Sequence, residues 1–193
     1  MLLMKDIMQE GNPVLRKRAH EVKLPIAEED YQSLREMMNY ILNSQNDSMV
    51  EEYGLRPSVG LAAPQIGISK KMFCMHTYDE SGETLYSYAV VNPKIISFSE
   101  EQTYIPSGEG CLSVDEEKNG LVSRAARIKA KAILVNLDTL ETSEVILKLS
   151  GYVGIVFQHE YDHLHGILFI DKKKETISGV KPVIFAEDEP TAE

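Results

Sequence analysis

YVGIVFQHEYDHL, residues 152–164, carries the strongest structural signal in the chain. One glycine precedes this segment and another follows two residues after it, as expected at the two ends of a helix. Tyr152, Ile155 and Val156 give the predicted helix an apolar side. We therefore expect it to lie at the centre of a core that β-sheets surround.

The same segment contains the pattern His-Glu-x-x-His, with histidines at 159 and 163. Residues four apart share one face of a helix, so the imidazoles of His159 and His163 can bind one metal ion. Glu160 lies beside them, where a carboxylate can take a proton from a water that the metal activates. The alternative interpretation is an amphipathic helix whose histidines are ordinary core or surface residues.

A hydrolytic metal site typically has three protein ligands and one position for water, so a third ligand must come from elsewhere. The pattern HExxHxxGxxH does not supply it, because Phe169 stands at the last position. Upstream, Cys111 lies within EGCLS, residues 109–113, where adjacent glycines predict a turn that presents the sulfur. A lone buried thiol in a turn is the alternative, but the missing ligand favours Cys111 as the third ligand. Cys74 lies in an alternating strand pattern and is expected in the core.

The segment VGLAAPQIG, residues 59–67, is small and apolar, with one amide side chain at Gln65. Such a segment lets a substrate backbone approach closely, and the Gln65 side chain offers an N–H donor to a developing oxyanion. A tightly packed turn between two core elements explains the same residues equally well.

Composition and charge describe an ordinary globular protein. The chain has 193 residues, of which 43% are hydrophobic and 26% charged, and one domain is expected at this size. A net charge of −10 argues against a protein that coats nucleic acid or an anionic membrane. Lys5 and Asp6 interrupt the apolar N-terminus where a signal peptide needs an apolar region. We therefore expect a cytoplasmic protein whose two cysteines are thiols or metal ligands.

We expect a single catalytic metallohydrolase domain over residues 1–193, with the following secondary structure. Apolar residues at helical spacing predict a helix over 27–45, and polar residues with breakers predict a loop from Asn43 to Ser58. Alternating and β-branched runs predict strands at 70–78, 85–91 and 94–98, and a hairpin of 127–137 with 143–149. Residues 172–193 are expected to form a weakly ordered tail. The fold class is α+β, with antiparallel sheets around the central helix and an N-terminal helix.

Three segments, in this order and at this spacing, resemble the motifs of the peptide deformylases. The family motif GxGxAAxQ is matched by SVGLAAPQ at 58–65, EGCLS is unchanged at 109–113, and HExDH is matched at 159–163. The similarity spans residues 5–171, and the polar segment before the first motif resembles the longer subclass of Gram-positive bacteria. The resemblance implies an amidohydrolase that removes the N-formyl group from the N-terminal methionine of new proteins and releases formate.

The resemblance also implies a metal centre. Cys111, His159 and His163 are the implied ligands of one divalent ion. Fe²⁺ is the native ion that the resemblance implies, and the same ligand types also accommodate Zn²⁺, Ni²⁺ or Co²⁺.

Further roles follow from the same resemblance. Glu160 is the implied proton carrier, while Gln65 and the backbone N–H of Leu112 are the implied donors to the oxyanion. The methionine side chain of the substrate is expected in an apolar slot. The candidate residues of this slot are Val59, Gly60, Ile155 and Val156.

Three further residues, Arg124, Asp162 and Ser58, lie outside the implied metal ligands but bear on the comparison with the family. Arg124 and Asp162 are expected in supporting roles, the former through a pair with Glu109. Ser58 stands where the family has its first motif glycine. If that position requires a positive φ, serine carries a steric cost of about 1 kcal/mol.

The implied partners are N-formylmethionyl nascent peptides, with transient ribosome contact and without stable nucleic-acid or membrane binding. The sequence leaves two alternative functions to consider, a general zinc peptidase and a metal-stabilised binding module. A general zinc peptidase would need an extended cleft, whereas the compact segment at residues 60–65 indicates a substrate terminus. A metal-stabilised binding module has no need of a base, so the intact Glu160 argues against it.

Overall fold

The computed structural model describes residues 1–186 and contains, within that range, three α-helices and seven β-strands. The helices are α1 (Glu28–Ser44), α2 (Asp47–Tyr53) and α3 (Gly151–His163). The strands are β1 (Gly60–Ala62), β2 (Met72–Tyr78), β3 (Leu85–Phe98), β4 (Gln102–Thr103), β5 (Arg124–Ala125), β6 (Arg127–Val135) and β7 (Thr142–Ser150). Within residues 1–186, none of the helices combines the length and the apolar composition that a bilayer-spanning segment requires.

The strands confirm the predicted α+β class with antiparallel pairing. Five of them form one sheet in the order β1-β2-β3-β6-β7, and β4 and β5 form a separate two-stranded sheet. The predicted hairpin is β6 with β7, paired from Arg127 opposite Ser150 to Val135 opposite Thr142. The helix α3 agrees with the predicted central helix to within one residue at each end.

The first four residues of β2 are buried on both faces of the sheet because α1 and α3 cover its opposite sides. Met72 and Cys74 belong to the apolar cluster that contains α1, whereas Phe73 belongs to the cluster that contains α3. Phe73 meets Phe157 of α3 edge to face, with ring centroids 5.1 Å apart. Cys74 is fully buried, as predicted for a core residue, and burial raises the pKa of its thiol well above the usual range.

Helix α2 lies inside the segment that was predicted to be a loop, and this prediction is wrong for seven residues. The Asn46 side chain accepts a hydrogen bond from the Met49 N–H at the N-terminus of the helix. Gly54, with φ of 61°, ends the helix in the left-handed conformation. Both capping signals are present in the sequence, but the helix between them is too short for a clear periodicity.

Strand β3 runs without interruption through Pro93, where the sequence indicated two separate strands. Proline lacks an N–H group, and the pairing with β6 shifts register between Val91 and Lys94 to accommodate it. Asn92 adopts a φ of 48° at this bulge. Its side chain donates to the carbonyl oxygen of Val22 and accepts from the Val22 N–H, which holds the bulge in place.

The tail that was expected to be weakly ordered, residues 172–193, makes tertiary contacts over its first part. Lys174, Val183 and Ala186 each donate a backbone hydrogen bond to the rest of the domain, and the Val183 side chain is buried. The last part of this prediction, residues 187–193, lies outside the described residues.

Candidate active site

Three segments of chain bring the predicted site residues together beside α3. This helix supplies His159, Glu160 and His163, the loop between β4 and β5 supplies Cys111, and the 3-10 turn after β1 supplies Gln65. The ligand atoms of Cys111, His159 and His163 all lie within 4.8 Å of one another. Within this cluster, Cys111 Sγ lies 3.4 Å from His163 Nε2.

This donor set fits one divalent metal ion. Metal–ligand bonds of about 2.0–2.3 Å to thiolate sulfur and imidazole nitrogen let a single ion reach three atoms at these separations. Three protein ligands leave a coordination position for water. Cys111 and His163 are buried, at 7% and 1% exposure, and the side chain of His159 is 12% exposed, so the protein shields the cluster from most of the bulk solvent.

A buried network of ion pairs orients His159. Its Nδ1 lies 2.8 Å from Glu109 Oε2, which leaves Nε2 for the metal. Arg124 donates Nε and Nη2 to the two oxygens of Glu109, each at 2.8 Å, and donates Nη1 to Asp162. Lys172 also pairs with Asp162, at 2.7 Å. The predicted pair of Arg124 with Glu109 is therefore present, and it is buried.

The charge state of Glu109 follows from this network. Burial by itself raises the pKa of Glu109, but the hydrogen bonds from Arg124 and His159 outweigh it and hold the pKa at about 2. The carboxylate therefore stays ionised at neutral pH and keeps the His159 Nδ1 proton on its side of the ring.

Glu160 is only 4% exposed, and burial raises its pKa to about 7. Its Oε2 is buried and has no hydrogen-bond partner among the described residues, as expected of a carboxylate whose partner is a water or a substrate. Gly60 lies directly against it, since an added Cβ would lie 2.7 Å from Glu160 Cδ. A side chain at this position would displace the carboxylate from its observed place.

The amide group of Gln65 is held in one orientation. The Ala62 N–H donates to Gln65 Oε1 at 2.9 Å, so the NH₂ group points the other way. Gln65 Nε2 lies 3.3 Å from Cys111 Sγ and 3.2 Å from Ser113 Oγ. The segment is thus a tightly packed turn, and the same packing points its amide donors at Cys111.

A cavity of about 420 Å³ opens beside these groups. Its walls include nine of the ten predicted site residues: Val59, Gly60, Gln65, Cys111, Leu112, Ile155, Val156, His159 and Glu160. The tenth, His163, is almost fully buried behind them. The predicted slot residues supply part of the apolar wall, and of these Ile155 and Val156 are 1% and 6% exposed.

The cavity also has walls that the sequence analysis did not assign to the site. Phe185 comes from the C-terminal segment and packs on Tyr152, with ring centroids 5.2 Å apart. Arg56 lines the cavity from the segment before β1. No local pattern marks these residues, because the chain brings them to the cavity only through tertiary packing.

Ser58 does not adopt a positive φ, so the steric cost considered above does not apply. Its hydroxyl donates to the Gly60 carbonyl at 2.6 Å and accepts from the Gly60 N–H at 3.3 Å. The His76 N–H donates to the Val59 carbonyl, so the next pair along the two strands, Gly60 with Met75, is a pair without hydrogen bonds. The N–H and C=O groups of Gly60 therefore point away from β2. The hydroxyl thus binds both groups at the free edge of the sheet.

Comparison with known proteins agrees with this geometry. The family model described as polypeptide deformylase matches residues 4–178. Peptide deformylase 2 of Bacillus anthracis is 56% identical over 171 residues, which cover 89% of this chain and 90% of the relative. Peptide deformylase 2 of Bacillus subtilis is 50% identical with the same coverage of both chains.

Solved structures give the same result. The peptide deformylase of Thermotoga maritima matches with a TM-score of 0.63 and 37% identity, covering 87% of this chain and 96% of that one. A Met-Ala-Ser-bound class I type b peptide deformylase of Acinetobacter baumannii matches with a TM-score of 0.64 and 30% identity, covering 86% and 96%. By its sequence, its fold and the composition of its site, the chain belongs to the peptide deformylase family.

Proposed function

We propose that this chain, as a single catalytic domain, removes the N-formyl group from the N-terminal formyl-methionine of newly synthesised proteins and releases formate. The observation that carries the proposal is the convergence of Cys111, His159 and His163 within 4.8 Å, beside Glu160 and Gln65. The bound Met-Ala-Ser of the Acinetobacter baumannii relative supports it, since this peptide begins with methionine.

Cys111, His159 and His163 would hold one divalent metal ion. We propose Fe²⁺ as the native ion, with Zn²⁺, Ni²⁺ or Co²⁺ as substitutes. When bound, the ion supplies Lewis acidity, which lowers the pKa of a water in the site and stabilises charge on the formyl oxygen. Glu109 and Arg124 hold His159 in the orientation that this ligand set needs.

Glu160 moves the proton. Its carboxylate takes the proton from the attacking water and passes it to the nitrogen that leaves when the formyl C–N bond breaks. Burial raises the pKa of Glu160, which makes its carboxylate a stronger base toward the water than an exposed carboxylate would be.

Gln65 Nε2 and the Leu112 N–H donate hydrogen bonds to the oxygen that becomes negatively charged when water attacks the formyl carbon. The Ala62 N–H fixes the Gln65 amide before the substrate binds, so its NH₂ group already faces the site beside Cys111. The methionine side chain of the substrate occupies the apolar slot of Val59, Gly60, Ile155 and Val156.

The cellular setting follows from this substrate. Nascent peptides that carry formyl-methionine occur where proteins are made, so the proposed location is the cytoplasm, with transient contact to ribosomes. The net charge of −10 supports the absence of stable binding to nucleic acid or to an anionic membrane.

The test is formate release by metal-loaded protein that is purified without oxygen. Formyl-Met-Ala-Ser should release formate, and acetyl-Met-Ala-Ser, which has an additional methyl group at the reacting carbonyl, should be a much poorer substrate. If no formate is released at stoichiometric metal content, the proposed function is wrong. Cleavage of internal bonds in an unformylated peptide would instead support a general zinc peptidase.

A further inference from the structure

Arg56 reaches from the segment before β1 to the loop that carries Cys111. Its Nη2 donates to the Cys111 carbonyl at 3.3 Å. Its Nη1 donates to the carbonyl oxygens of Leu112 at 3.4 Å and Val114 at 3.2 Å. Its Nε pairs with Glu116 at 3.0 Å. One guanidinium therefore binds three carbonyl groups within four consecutive residues.

The receiving loop has little regular structure of its own. Residues 110–115 form turns rather than a helix or strand, and the Val114 N–H closes one turn to the Cys111 carbonyl at 3.1 Å. Gln9 and Glu10 of the N-terminal segment each donate one more hydrogen bond to this loop. The loop is therefore held largely by groups from other parts of the chain, and Arg56 contributes three of these contacts.

Core residues hold the backbone of Arg56 in place. The fully buried Tyr40 of α1 donates its hydroxyl to the Arg56 carbonyl at 3.2 Å. Leu55 is buried in the apolar cluster around α1, and Gly54 ends α2 immediately before it. The backbone of Arg56 is thus fixed to the core, while its side chain spans the gap to the site.

We propose that Arg56 is a positioning residue of the site, which sets the direction of both the Cys111 sulfur and the Leu112 N–H. The Cys111 carbonyl and the Leu112 N–H belong to the same trans peptide unit, so they point in opposite directions within one plane. The bond from Arg56 to that carbonyl consequently directs the Leu112 N–H away from the guanidinium. The proposal rests on the proposed function for the role of this N–H and of the Cys111 sulfur.

The planar fork of arginine explains why this residue type fits. Its Nε, Nη1 and Nη2 groups donate in fixed directions within one plane, which lets a single side chain bind several acceptors at once. A lysine ammonium at the same position would reach one or two of the carbonyl groups without this fixed geometry. Arg56→Lys should therefore recover only part of what Arg56→Met loses.

The test compares Arg56→Met and Arg56→Lys with a matched control, Arg35→Met. Arg35 also donates from its Nε to a loop carbonyl, that of Leu137 at 3.2 Å, but it does not line the cavity. Each protein is loaded with Co²⁺, whose visible spectrum reports thiolate ligation. Retention of Co²⁺ against a chelator, kcat and KM for formyl-Met-Ala-Ser, and the Tm are then measured.

Arg56→Met should lower Co²⁺ retention and kcat by about 10- to 100-fold, the usual range for groups that orient metal ligands. It should also change the thiolate band in the spectrum. Arg56→Lys should lie between this variant and the wild type, and Arg35→Met should change none of these quantities. If Arg56→Met does not fold, the same measurements on Arg56→Lys, compared with the wild type and Arg35→Met, test the proposal.

The proposal is overturned if folded Arg56→Met keeps the wild-type Co²⁺ spectrum, Co²⁺ retention and kcat. It is also overturned if Arg56→Met changes only the Tm, because that result indicates a structural contact without influence on the site. A wild-type protein that binds Co²⁺ but releases no formate contradicts the proposed function instead. The spectrum and the retention of Co²⁺ would still decide the role of Arg56 in that case.

Discussion

Replacement of Arg124 by methionine should destabilise the protein by about 3 kcal/mol, because it leaves two buried carboxylates without their shared cation. Arg124 is 3% exposed, and its partners Glu109 and Asp162 are 4% and 7% exposed. Breaking a buried pair by removing one partner costs about 3–5 kcal/mol. The lower end applies here, since Lys172 still pairs with Asp162 and His159 still bonds to Glu109.

The measurement is urea unfolding of the metal-loaded protein, with Arg127→Met as the matched control. Arg127 also pairs with a glutamate, Glu101, but the two side chains are 62% and 58% exposed. An exposed pair contributes about 0–1 kcal/mol, because water already solvates both charges. A typical domain is stable by only about 5–15 kcal/mol, so the difference between the two variants is large enough to measure.

Arg124→Met should also lower kcat by about 10- to 100-fold, because Glu109 then loses the contacts that hold it against His159. The reasoning is refuted if Arg124→Met costs no more free energy of unfolding than Arg127→Met. The predicted effect of Arg124 on catalysis is refuted if a folded, metal-loaded Arg124→Met protein keeps the wild-type kcat.

Three further substitutions test the site. Glu160→Gln should retain the metal, as measured by elemental analysis, and lower formate release by about 10²–10⁴-fold, because the proton carrier is lost; near-normal turnover would contradict the assigned base. Gln65→Leu should lower kcat by about 10²–10³-fold through loss of one oxyanion donor, and an unchanged kcat in steady-state assays would exclude that role. Ser58→Gly should not raise kcat, because the φ of Ser58 is not positive and glycine relieves no strain there, while the hydroxyl bonds to Gly60 are lost. A large gain in activity would show that the serine distorts the segment.

Much of the fold was predictable because its signals are local. The helix α3 and the hairpin of β6 and β7 follow from periodicities that span many residues, and the structure has them at nearly the predicted bounds. Helix α2 and the bulge at Asn92 were not predicted. A seven-residue helix shows too little periodicity, and the continuity of β3 through Pro93 depends on the bonds between Asn92 and Val22.

Local sequence patterns predict the metal ligands of the candidate site. His159 and His163 are four apart on one helix, so their common face follows from helix geometry alone, and counting ligands pointed to Cys111. The way these side chains are held depends on tertiary packing. The contacts of Arg124 with Asp162 and of Arg56 with Cys111 join residues that are 38 and 55 positions apart. Such contacts cannot be read from periodicity, because periodicity reports only neighbours within one element, whereas these contacts form only when the sheet and the helices pack together.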